Sequence, residues 1–204
     1  MITRRQFFAA ASPIAVATPQ PVIVPVRQIL DGRAHFKSQQ LSSFWSRIWP
    51  EAASNLARCG IALQATQIDG EVRRSPSGKP VFTALQRGLV NFVITDQIPM
   101  EWDKARGLGG LTTQYRGHHL CMVALNHAHP HRIPMLAVNT CLHELLHVLM
   151  LDVFEDRPSG VRGSAREFQI DLYATRLWLF HDCSAIRMSA ETYVSRLRST
   201  SSHG

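Results

Sequence analysis

Two histidines, His143 and His147, enclose Glu144 in the string His143-Glu144-Leu145-Leu146-His147. On a helix, a spacing of four puts both imidazoles on one face about one turn apart, where they can share a zinc ion. A catalytic zinc takes three protein ligands and keeps a fourth position open, so the pair demands one more carboxylate or imidazole. Glu167 stands twenty positions after His147, and Asp171 lies four residues further on, sharing a helical face with Ile170, Ala174 and Trp178. Carboxylates on an otherwise apolar face are costly to bury, and contact with a cation or with a metal-bound histidine removes that cost. Asp152, nine residues past His143, would face about 180° away on a continuing helix and ranks below Glu167. His127, His129 and His131 alternate beside Pro130, a pattern that reads first as an exposed loop and second as another metal cluster.

These side chains need elements to hold them. After Pro130 and Pro134 the sequence turns helical from about Met135 to Leu151, with Leu142, Leu145, Leu146 and Val148 flanking the motif. A second helix is expected from about Ser164 to Phe180. Upstream, Phe36 to Arg58 repeats apolar residues at helical spacing and reads as one long or kinked helix, interrupted at Pro50 and stopped by Cys59-Gly60. Ile61 to Ile68 alternates apolar and polar residues as a half-buried strand does, and Val90 to Thr95 and His118 to Leu125 are further strand candidates. Ser75 to Pro80 reads as a surface loop, and Gly107-Leu108-Gly109-Gly110 as too glycine-rich for a regular element. The expected order is helix, strands, helix, helix, in an α+β domain without internal repeats.

With 204 residues, 45% hydrophobic and 18% charged, the chain can bury one core but not several. No apolar run approaches the roughly 18 to 20 residues that cross a bilayer. The formal charge of +7 is not gathered into a Lys/Arg tract, so no nucleic-acid partner is expected. Thr3-Arg4-Arg5-Gln6-Phe7-Phe8, followed by the small apolar stretch Ala9 to Ala17, resembles the twin-arginine export signal of bacteria. Ala15-Val16-Ala17 fits a small-x-small cleavage site. Residues 1–17 therefore read as a signal peptide, 18–35, with Pro19, Pro21 and Pro25, as an extended leader, 36–198 as one domain, and 199–204 as a loose tail. Export implies a periplasmic or secreted protein. There Cys59, Cys121, Cys141 and Cys183 permit up to two disulfides in three full pairings, and four reduced thiols in the core fit the spacing equally well.

The combination His143-Glu144-x-x-His147, nineteen residues, Glu167-x-x-x-Asp171 resembles the signature of the gluzincin metallopeptidases, within the zincin fold. The resemblance implies His143, His147 and Glu167 as zinc ligands, Glu144 as general base, and Asp171 as the acceptor that orients a ligand histidine. It implies a small mixed sheet packed on the N-terminal helix and the HExxH helix, followed by a C-terminal helix carrying the third ligand, with His118 to Leu125 as the edge strand that binds extended substrate. His143 to Asp152 also resembles the matrixin or metzincin helix, but Met150 stands where that family needs a glycine and Val153 where it needs a third histidine. Only 37 residues follow Glu167, so a transition-state donor is unassigned among Tyr115, His118, Tyr173 and His181.

The function so implied is an exported zinc-dependent peptidase, hydrolysing peptide or protein substrates through a zinc-bound water that Glu144 activates. The alternative is a non-catalytic zinc-stabilised binding protein of the cell envelope with the same fold.

Overall fold

The computed structural model describes residues 20–75, 80–99, 108–126, 134–150, 169–175 and 183–201. Among them are strands β1 (Val22–Asp31), β2 (Ile61–Gly70), β3 (Val72–Arg74), β4 (Pro80–Phe82), β5 (Val90–Thr95), β6 (Gly110–Tyr115) and β7 (His118–Ala124). Five form a mixed sheet in the order β2-β1-β5-β7-β6, and β3 and β4 form a separate antiparallel pair. In the large sheet, the first four strands of that order are parallel and only β6, at the edge, runs against its neighbour. The helices are α1 (Ser38–Ser43), continued by a π-helical stretch Phe44–Ile48 into α2 (Trp49–Arg58), then α3 (Pro134–Leu149), the helical residues 169–175, and α4 (Ser184–Ser201). The class is α+β, as expected.

The π-helical interruption just ahead of Pro50 has a local cause. Proline has no N–H and its ring crowds the carbonyl one turn back, so an ordinary α-turn does not fit there. The chain widens the turn just ahead: the Trp49 N–H donates to the Phe44 carbonyl, five residues back, and the helix resumes as α2.

Three expectations change. The stretch expected to be an extended leader contains β1, which pairs with β2 throughout and with β5 from Val26 to Leu30. Pro25 fits because the Val22 N–H points at β2, bonding the Gly60 carbonyl, so by alternation position 25 faces the other side, where β5 has not yet begun to pair. The edge strand is β6, not His118 to Leu125. β7 lies between β5 and β6, and the glycine-rich run ends where β6 starts at Gly110. Arg116 and Gly117, at φ 51° and 77°, close the two-residue turn between β6 and β7. Finally, Ser199, expected in a loose tail, is still inside α4.

The sheet separates two apolar layers. On one face Val24, Val26, Phe92, Cys121 and Val123 meet Phe44, Ile48, Leu56, the buried side of α3, Ile170, Ala174 and Tyr193. On the other, Ile29, Val93, Leu120 and Met122 pack against Phe82, Ile98 and Tyr115. All six residues of β5 are buried, as expected of a strand covered on both faces. Cys59, at the end of α2, is disulfide-bonded to Cys183, just ahead of α4, while Cys121 and Cys141 are buried free thiols. Among the described residues no helix is long and apolar enough to cross a membrane.

Candidate functional site

α3 is buried almost all round. Ala137, Val138, Cys141, Leu142, Leu145, Leu146, Val148 and Leu149 are each fully excluded from solvent. An amphipathic surface helix would show a polar stripe to water. Here the polar residues Thr140, His143, Glu144 and His147 sit toward β6 and the helical residues 169–175 instead. Pro134 opens the helix, where its missing N–H costs nothing.

His143 and His147 turn their Nε2 atoms toward one another at 2.9 Å, with the rings nearly perpendicular. The Nδ1 of His143 lies 2.9 Å from Oδ1 of Asp171. A carboxylate at that distance takes the Nδ1 hydrogen, so the Nε2 of His143 presents a lone pair to the space it shares with His147. Two imidazole nitrogens bound to one tetrahedral zinc stand roughly 3.3 Å apart. The observed pair needs only a few tenths of an ångström of opening, so the two rings fit a shared metal. His147 is 1% exposed, which keeps that space away from water on one side. Glu167 lies outside the described residues, as do Asp152, His181 and the His127 to His131 run. Among the described residues no group of three His, Cys, Asp or Glu side chains converges on one metal position.

Glu144 is 6% exposed and sits under the edge strand. The Thr112 hydroxyl is 2.7 Å from its Oε2 and 2.9 Å from its own backbone carbonyl, and the Cys121 thiol also reaches that carbonyl, at 3.3 Å. Burial pushes the thiols of Cys121 and Cys141 far above their ordinary range, so both stay protonated. Gly110 lies over the same carboxylate: a Cβ placed there would stand 2.5 Å from Oε1 and 2.7 Å from Cγ of Glu144. Comparison with protein-family models and with curated proteins returns no match.

The candidate donors for a transition state part company. The Tyr115 hydroxyl donates to the Pro80 carbonyl on the far face of the sheet. His118 shares its strand face with Leu120 and Met122, in that same far layer. Tyr173, half-buried, packs against the helical layer. The residues that sequence reasoning missed are Gly110, Thr112 and Cys121. A signal for the first two was present, since Leu111 to Tyr115, the Arg116-Gly117 turn and the next strand together make a hairpin pattern.

Proposed function

We propose that this chain is an exported zinc-dependent peptidase of zincin type, in which His143, His147 and Glu167 hold the metal and Glu144 is the general base. The observation that carries the reading is the convergence of the two Nε2 atoms at 2.9 Å, with Asp171 on the far nitrogen of His143. Zinc, when bound, would polarise both a peptide carbonyl and the attacking water. Glu144 accepts the proton of that water and returns it to the leaving amine. Asp171 holds His143 in the tautomer that ligates.

The edge strand gives the substrate a seat. The Ala124 N–H bonds the Gly109 carbonyl, so along the antiparallel ladder residues 109, 111, 113 and 115 face β7 while Gly110, Thr112 and Gln114 turn their N–H and C=O groups outward. No described strand lies beyond β6. An extended peptide added there would run past Glu144. The Cys59–Cys183 disulfide suits an oxidising compartment and supports export.

The test is zinc content of the mature protein, followed by cleavage of a quenched peptide library with and without chelator, in the wild type and in Glu144→Gln. The expected result is stoichiometric zinc and chelator-sensitive cleavage, with Glu144→Gln keeping the metal and losing turnover. Zinc-dependent stability with no cleavage by the wild type would favour the binding-protein reading. Absence of zinc after reconstitution would overturn both.

A further inference from the structure

The hydroxyl of Thr112 has a single hydrogen and three acceptors within reach: Oε2 of Glu144 at 2.7 Å, the Glu144 carbonyl at 2.9 Å and the Cys121 sulfur at 3.6 Å. The Cys121 thiol supplies that carbonyl itself, at 3.3 Å. With the carbonyl so provided for, the Thr112 hydrogen goes to the nearest and most strongly accepting atom, the carboxylate oxygen. Thr112 is 1% exposed, so no bulk water competes for this bond. Thr112 stands on β6 opposite Cys121 of β7, and its neighbours Leu111 and Thr113 are the positions that bond across the ladder. The other carboxylate oxygen, Oε1, is turned toward Gly110.

We infer that Thr112 is a positioning residue for Glu144: from the edge strand its hydroxyl anchors Oε2 and so aims Oε1 along the strand where substrate would lie. The role in turnover rests on the peptidase reading, while the anchoring itself does not. The Thr112 side chain acts through Glu144, while its backbone N–H and C=O belong to the open edge of β6 and are the same in every side-chain variant.

The test uses the full mature chain, zinc-loaded, as wild type, Thr112→Ser and Thr112→Val. Crystal structures of the three read the Glu144 carboxylate directly. Thr112→Ser should keep it in place, and Thr112→Val should release it from the Thr112 side. In peptide cleavage Thr112→Val should lower kcat by roughly 10- to 100-fold. Its KM should stay within about two-fold and its zinc content should be unchanged, with Thr112→Ser restoring kcat. An unmoved carboxylate in Thr112→Val, or an unchanged kcat, overturns the inference. If Thr112→Val does not fold, Thr112→Ala, which adds no new bulk, is read the same way. If the wild type cleaves nothing, the peptidase reading fails, and the carboxylate's position in the crystals still decides whether Thr112 anchors it.

Discussion

Replacing Gly110 with alanine should damage the site by a steric route that can be traced atom by atom. The new Cβ would stand 2.5 Å from Oε1 of Glu144, 2.7 Å from its Cγ and 2.8 Å from Cγ2 of Thr140. Reaching an ordinary contact of about 3.4 Å means a retreat of roughly 0.6 to 0.9 Å by each of these atoms. The carboxylate tip can swing, but Cγ and the Thr140 methyl are carried by a fully packed helix, so α3 and β6 must separate. Such overpacking costs about 1–3 kcal/mol of stability. A misplacement of a catalytic group by about 1 Å can cost on the order of 100-fold in rate. Gly110→Ala should therefore lose about two orders of magnitude in kcat/KM, measured on the best peptide of the library, with a modest fall in Tm. Gly117→Ala is the control. Gly117 sits at φ 77°, where alanine is strained, but the nearest atoms to its Cβ are 3.8 Å away and belong to Arg87. That variant should lose stability while kcat stays near wild type. Wild-type kcat/KM in Gly110→Ala, or an equal loss in Gly117→Ala, would refute the link between Gly110 and Glu144.

Further outcomes follow from other contacts. Asp171→Ala should weaken zinc binding by roughly 10- to 100-fold in competition with a chromophoric chelator, and an unchanged affinity would detach Asp171 from His143. The Cys59–Cys183 bridge spans 124 residues, for which loop-closure entropy gives about 5 kcal/mol, so Cys59→Ser with Cys183→Ser should lose roughly 2–5 kcal/mol in denaturant melts. Superimposable melts would contradict this. His119 is held below its ordinary pKa by burial, and secondarily by His118, with Nδ1 2.9 Å from the Tyr193 hydroxyl. The unfolded chain takes up that proton near pH 6.5, before the folded chain does, so acidification below about pH 6.5 should destabilise the fold. His119→Gln should flatten that dependence in melts from pH 7 to 5, and a slope as steep as wild type would rule His119 out as its source.

What the sequence made legible was what repeats along it. α3 was expected at Met135 to Leu151 and spans Pro134–Leu149, because its apolar periodicity is strong and a proline marks its start. The long helix was expected to falter at Pro50 and does so, by a widened turn. The four-residue spacing of His143 and His147 predicted two rings on one face, and the rings meet. The failures lie where local propensity and tertiary pairing disagree. Three prolines outweighed the β-branched run of β1, although the only proline inside that strand turns its missing N–H to the side where β5 has not yet begun to pair. Glycines hid the start of β6, although Gly110 is needed there to let Glu144 approach. Thr112 and Cys121 carried no motif. Their part depends on strand register, which periodicity in a single chain does not encode.

The bridge from Cys59 to Cys183 encloses both strands of the β6–β7 hairpin, α3 and Asp171 within one covalent ring. If the chain is the peptidase proposed above, it is exposed to its own chemistry, and its loops are where a first cut would fall. Any single nick inside that ring releases no fragment. The two pieces stay joined through the sulfur bridge, and the parts of the site on either side of the cut remain tethered at high effective concentration. Self-cleaved material would thus migrate near full size until a reductant is added, so a non-reducing gel would conceal autolysis that a reducing one displays. For the peptidase proposed above, the ring would confer tolerance of its own activity, and a thiol-containing buffer would remove that tolerance.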